Sequence, residues 1–138
     1  MHLSDDAKKT LLAEAERLYP HECCGALLGT DNETGGRLIE FAVPIDSTTE
    51  DGEKHHRFQI TADDVIKVEH TARERGSDVL GFYHSHPDHP AVPSEYDREH
   101  ALPYYSYLII PVENGKAHET LAWKLKADRS GFEREEIV

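Results

Sequence analysis

Two histidines one residue apart, His84 and His86, stand in the segment Gly81-Phe82-Tyr83-His84-Ser85-His86-Pro87, and Ser94-Glu95-Tyr96-Asp97 follows shortly after. Val79 to Ser85 reads as a strand, and residues two apart on a strand share a face, so the imidazoles project together. Two imidazoles so placed can grip one divalent ion. A carboxylate from the start of the next helix, Asp97, can supply a third ligand. Three protein ligands with one open position is the arrangement of a catalytic zinc site, here one zinc per chain. Such a metal lowers the pKa of water in the open position to ~7. Each residue also has a plainer reading. A His-x-His pair on a sheet is often mere packing or surface, and Ser94-x-x-Asp97 is an ordinary helix-capping box. Capping and ligation are compatible, because a serine hydroxyl can accept a helix N–H and still direct its own proton elsewhere.

The elements that must position these residues are short and alternate along the chain. Residues 5–19 read as a helix capped by Ser4, with Leu11, Ala15, Leu18 and Tyr19 on one face and Pro20 ending it. Cys23 to Leu28 reads as a buried strand, and Asn32 to Gly36 as a turn leading to a second strand, Leu38 to Val43. Residues 44–56 are polar and irregular, and His56 to Ile60 reads as a strand. Thr61 with Asp64 forms a capping box opening a helix that ends near Gly76. Pro87, Pro90 and Pro93 forbid regular structure between the histidine strand and a short helix, Ser94 to Ala101. Tyr105 to Val112 and Glu119 to Leu125 are strands around an Asn114-Gly115 turn, and a last strand runs from Phe132 to Val138. The sum is an α+β layout, a mostly antiparallel sheet flanked by helices.

The length of 138 residues suits one domain, and 38% hydrophobic with 30% charged residues is a globular balance. No apolar run approaches the ~20 residues that cross a bilayer, and the first residues lack the pattern of a signal peptide. The expectation is a cytoplasmic protein that binds no membrane. A net charge of -12 repels phosphate backbones, which disfavours nucleic acid as a partner. Cys23 and Cys24 are adjacent, so a structural disulfide is not expected. They read as small strand residues, one pointing inward and one outward. His2 is expected at a frayed end, and the remaining histidines are expected to be solvated.

The pattern His84-x-His86-Pro87 followed by Ser94-x-x-Asp97 resembles the motif of JAMM/MPN-domain metallopeptidases at every spacing. That motif also has an upstream glutamate before an apolar, Gly-containing strand. Glu22 fits this place in His21-Glu22-Cys23-Cys24-Gly25-Ala26-Leu27-Leu28-Gly29. The resemblance covers nearly the whole chain, and no motif position departs from it. It implies a JAMM/MPN, cytidine deaminase-like domain over residues 1–138, with zinc held by His84, His86 and Asp97. It makes Glu22 the general acid/base and Ser94 the oxyanion stabiliser. The chain is more similar to compact prokaryotic members, which implies a ubiquitin-like or sulfur carrier protein as substrate, cut after its C-terminal glycine.

Two alternatives use the same residues differently. His84-Ser85-His86-Pro87-Asp88-His89 also spells the His-x-His-x-Asp-His pattern of metallo-β-lactamase-like hydrolases, which would ligate zinc through His84, His86 and His89. That fold needs a longer chain and more downstream ligands than His100 and His118. The other alternative is a non-catalytic MPN-like scaffold, which loss of a ligand would mark. No ligand is lost here.

Overall fold

The computed structural model describes residues 1–32, 36–46 and 60–138. In chain order these form β1 (His2–Leu3), α1 (Asp5–Leu18), β2 (Cys24–Asn32), β3 (Gly36–Ile45), α2 (Ala62–Glu74), β4 (Asp78–Pro87), α3 (Glu95–His100), β5 (Ser106–Glu113), β6 (Lys116–Ala117), β7 (Leu121–Leu125) and β8 (Phe132–Glu135). Of the expected strand His56–Ile60 only Ile60 is described, and it belongs to no strand; His55 and His56 lie outside the described residues.

One sheet runs β1-β3-β2-β4-β5-β7-β8, with β6 pairing β5. Its pairs are antiparallel except β1 with β3 and β4 with β5. The parallel β4–β5 pair demands a crossover, and the proline loop with α3 provides it. The expected α+β layout is therefore the one observed.

Helix α1 begins where Ser4 Oγ accepts the Ala7 N–H at 3.1 Å, and it buries Ala7, Leu11 and Ala15 against Leu27, Leu80, Leu108 and Ile110 on one face of the sheet. Helix α2 opens on the Thr61–Asp64 capping box. It buries Val68 and Ala72 against Ala26, Leu28, Val79 and Phe82 on the other face. Strands β2 and β4 are thus covered on both faces, and their near-continuous apolar runs follow from that.

A bulge in β4 decides which residues meet which core. Leu27 pairs with Gly81 and Leu28 with Val79, so Leu80 is the extra residue. Val79 and Phe82, three apart, consequently share the α2 side, while Leu80 and Tyr83 share the α1 side. Past the bulge, ordinary alternation sends His84 and His86 to the face of Phe82, and Ser85 to the face of Tyr83. Two glycines permit this packing. A Cβ on Gly81 would lie 1.9 Å from the Ser106 carbonyl oxygen of β5, and one on Gly25 would lie 2.2 Å from the ring of buried Tyr83.

Three expectations are corrected. His2 is not frayed: β1 pairs in parallel with β3, His2 opposite Leu38. The adjoining ends are tied as well, since the Met1 ammonium donates to Glu136 O at 2.7 Å and Val138 N donates to Met1 O at 2.8 Å. Of the cysteines, neither points outward. Cys23 is buried in the α1-side core and Cys24 in the α2-side core, because helices cover both faces of the sheet here. Burial pushes their thiols up, to about 11 and about 12 respectively, so both stay protonated. Finally, the strand expected from Glu119 starts at Leu121, with β6 a separate two-residue pairing after the Asn114-Gly115 turn.

Gly81→Ala is expected to lower stability by about 1–3 kcal/mol, the usual cost of overpacking, because the added methyl meets backbone that cannot swing aside. Urea unfolding measures it, and an unchanged midpoint would contradict this account of the β4–β5 approach.

Candidate metal centre

On the α2 side of β4, the Nε2 atoms of His84 and His86 lie 3.0 Å apart. Asp97 approaches from the first turn of α3, with Oδ1 3.4 Å from His84 Nε2 and Oδ2 3.5 Å from His86 Nε2. Both histidines are buried. Three ligands placed tetrahedrally about one zinc, each roughly 2.0–2.1 Å from it, would be separated by about 3.3 Å. The observed spacings and the mixed nitrogen and oxygen donors fit such an ion. Among the described residues, His84, His86 and Asp97 are the group that converges in this way.

Each ligand is held by the structure around it. His86 Nδ1 lies 2.8 Å from the Pro90 carbonyl oxygen. That oxygen can only accept, so the proton sits on Nδ1 and Nε2 keeps its lone pair for a metal. Asp97 belongs to a reciprocal capping box. Ser94 N donates to Asp97 Oδ2 at 2.8 Å, and Asp97 N donates to Ser94 Oγ at 3.1 Å. The expected box is present, with the Ser94 hydroxyl accepting from the helix and its own proton still available.

Charge follows from burial and neighbours. Burial pulls His84 below the ordinary imidazole range, against the pull of Asp97, so it favours the neutral form that ligates. Burial also pulls His86 down, but Asp97, the Pro90 carbonyl and the Glu22 charge outweigh it and leave His86 raised. Burial pushes the Asp97 carboxyl up, yet the two imidazoles and the Ser94 N–H hold it far below the usual carboxylate range. Asp97 is therefore an anion at any pH where the protein works.

Glu22 sits next to this group. Its neighbour Cys23 is fastened to the residue between the histidines, since Cys23 N donates to Ser85 Oγ at 2.8 Å and Ser85 N donates to Cys23 O at 3.0 Å. One Glu22 oxygen is buried, and its charge acts on His86. A cavity of about 300 Å³ opens beside His84 and Asp97, walled by Val65, Phe82, Tyr105, Tyr107 and Phe132.

Asp88 and His89, the last residues of the alternative His-x-His-x-Asp-His pattern, are not brought in. Asp88 accepts from the Tyr19 hydroxyl at 2.6 Å and from Asn114 N at 3.1 Å. Its backbone adopts a left-handed φ of 57°. These bonds make it a turn residue. His89 is exposed and stands outside the converging group.

A family model described as prokaryotic homologues of the JAB domain matches residues 4–126. The chain belongs to this family. A desampylase of Haloferax volcanii is 32% identical over 125 residues, 86% of each chain. The solution structure of a protein from Desulfitobacterium hafniense matches with TM-score 0.83 at 30% identity, covering 99% of this chain and 90% of that one. A JAB1/MPN domain protein from Archaeoglobus fulgidus shares the fold at TM-score 0.63 and 19% identity, covering 99% and 96%.

This JAB domain also contains site residues that the motif did not announce. Ser85 tethers Cys23, and the Pro90 carbonyl orients His86. His100, exposed as expected, also lines the cavity, stacked on Tyr96 with ring centroids 4.1 Å apart. Ser85 carries a signal, as the middle residue of His-x-His must face the opposite side of the strand. A backbone carbonyl carries none.

Alanine at His84, His86 or Asp97 should strip the metal, whereas His89→Ala should keep it, read as metal per chain on purified protein. The reverse pattern at Asp97 and His89 would overturn the ligand set. Metal affinity should also weaken on acidification through neutral pH, because a raised His86 takes up protons early and an imidazolium cannot ligate. An affinity that stays flat from about pH 8 to about pH 6 would contradict the raised His86.

Proposed function

We propose that the chain is a zinc-dependent peptidase, one JAMM/MPN domain over residues 1–138, acting on a ubiquitin-like or sulfur carrier protein. The bond cut joins the carrier's C-terminal glycine to an amine. The observation that carries the reading is the convergence of His84, His86 and Asp97 into a metal-sized group. Membership of the prokaryotic JAB family and the relationship to a desampylase support it. No helix among the described residues is long and apolar enough to cross a membrane.

His84 and His86 would hold the zinc through Nε2, and Asp97 through its carboxylate. Zinc bound there supplies Lewis acidity, polarising a carbonyl and acidifying water to a pKa of about 7. Glu22 takes the proton of the attacking water and returns it to the leaving amine. Ser94 donates its hydroxyl proton to the oxyanion that develops on the carbonyl. No bond between substrate and protein is needed. Glu22 does not line the apolar cavity beside His84 and Asp97. The leaving amine departs toward Glu22, so the cavity lies on the acyl side, where the carrier's tail enters. A glycine tail is slim enough to lie extended along a strand edge, with main-chain hydrogen bonds aligning its last carbonyl. The loop from Pro87 to Pro93 forms one wall of that entry. The stretch from Ile45 to His55, which we propose as the other wall, lies largely outside the described residues.

Glu22→Gln should retain zinc and lose about 10²–10⁴-fold in turnover. Full activity in that variant would remove Glu22 from its role. Ser94→Ala should retain zinc and lose about 10²–10³-fold. Because it also removes a helix cap worth ~1 kcal/mol, a thermal melt belongs beside the rate. For the substrate, a carrier ending in Gly-Gly is either fused to cysteine or linked to a lysine amine, and the products are weighed by mass spectrometry. Cleavage is expected after the terminal glycine, and a bulky residue there should slow it severely. Efficient cutting of unrelated unfolded peptides, indifferent to glycine, would refute the carrier substrate and leave the zinc chemistry standing.

A further inference from the structure

His84 and His86 lie in a strand paired on both edges, but Asp97 sits on a six-residue helix with no buried residue. A helix that short does not hold itself in water. The Ser94–Asp97 box secures its first turn, and its last turn is secured from elsewhere. Arg129 Nη1 donates to Ala101 O at 2.9 Å, and Nη2 donates to Arg98 O at 3.2 Å and Glu99 O at 3.3 Å. These are the terminal carbonyls that a helix leaves without partners, where a cation is also favoured by the helix dipole. Arg98 answers with a hydrogen bond from Nη1 to Arg129 O at 3.0 Å.

The loop before α3 is held from the same hairpin. Trp123 Nε1 donates to Ala91 O at 3.0 Å, and Ala91 follows Pro90, whose carbonyl orients His86. Trp123 lies in β7 and Arg129 in the turn from β7 to β8. That turn is tight, closed by Lys126 N to Gly131 O at 2.9 Å, with Arg129 in a left-handed conformation at φ 63°. The hairpin is in turn registered to the histidine strand, since His84 pairs with Ile109 and Ile109 pairs with Leu121. It therefore spans from the rigid ladder carrying the two imidazoles to both flanks of the helix carrying the carboxylate. The family match ends at residue 126, so Arg129 stands outside it.

We propose that Arg129 and Trp123 are positioning residues of the metal centre: the C-terminal hairpin sets the distance of Asp97 from the histidine pair and steadies the carbonyl that orients His86. This rests on the reading of His84, His86 and Asp97 as the metal site. Partners behind metal ligands commonly set affinity by 10–100-fold, and neither residue belongs to the converging group or lines the cavity beside it.

The test uses the full chain, stripped of metal and titrated with zinc against a chromophoric chelator, then loaded with cobalt(II) for its visible d–d spectrum. Arg129→Ala is expected to bind zinc about 10–100-fold more weakly and to show an altered cobalt spectrum. Arg129→Lys should fall between it and the parent, and Trp123→Phe, which keeps the ring and deletes only the donor, should shift both readouts in the same direction. Arg17→Ala, removing a surface arginine on α1, should match the parent in both. Melting of the metal-free proteins separates general destabilisation from the effect on ligand geometry. If Arg129→Ala does not fold, Arg129→Lys and Trp123→Phe decide the matter. Variants with the parent's zinc affinity and the parent's cobalt spectrum overturn the inference, whatever their melting temperature. A parent that takes up no zinc overturns the metal reading itself, and this inference with it.

Discussion

A strand covered on both faces and paired on both edges cannot slide, and β4 is such a strand. It lies between β2 and β5, with the α1 core on one side and the α2 core on the other. A slip of one residue would exchange its faces. His84 and His86 would then enter the apolar α1 core, and Tyr83 would displace them at the site. The extra residue at Leu80 sets this phase, and bare backbone at Gly81 and Gly25 lets the neighbouring strand and the Tyr83 ring approach closely enough to keep it. The direction of the chemistry is thus a property of sheet register before it is a property of any ligand.

What the register delivers is electrostatically costly. Two imidazoles and a carboxylate are brought together in a largely dry place, where polar groups are expensive unless paired or bound to metal. The three groups partly satisfy one another, which is why Asp97 is held ionised while burial still keeps His84 low. Apolar residues of similar volume would remove the desolvation cost, so stability alone does not call for this trio. A divalent cation answers it directly, supplying the positive charge that two neutral imidazoles and one anion lack. The net charge of -12 works in the same direction, favouring cations near the surface.

Much of this was legible in the chain because it is encoded at short range. The two-residue period of a strand placed His84 and His86 together, and the capping-box spacing placed Asp97 at the start of a helix. The helices α1 and α2 were announced by Ser4 and by Thr61 with Asp64. What escaped depends on partners far apart in sequence. Nothing near His2 shows that it will find Leu38, and nothing near Cys24 shows that α2 will cover it. Arg37 looks like an ordinary surface arginine. Instead its Nη1 donates to Leu80 O at 2.8 Å and to Ser106 Oγ at 3.0 Å, and its Nη2 donates to Tyr104 O. It is buried because the sheet closes over its stem. Side-chain bonds to backbone carbonyls, as at Pro90 and along the end of α3, leave no trace in residue type at the accepting position.

The alternation of β4 also explains how a residue outside the ligand set can be held in step with it. His84 and His86 face one side, so Ser85 must face the other, and there it receives the Cys23 N–H. Ser85 N returns a bond to Cys23 O, and the next pair in register is Cys24 with His84. The backbone of Glu22, immediately before this doubly bonded residue, is therefore spaced from the histidines by ladder hydrogen bonds, and its side chain spans what remains. Catalysis by proton transfer needs hydrogen-bond distances to be met within a few tenths of an ångström. The same strand that turns His84 and His86 to one face holds the backbone beside Glu22 from the other through Ser85, and the two cannot be displaced relative to one another without breaking the pairing of β2 with β4.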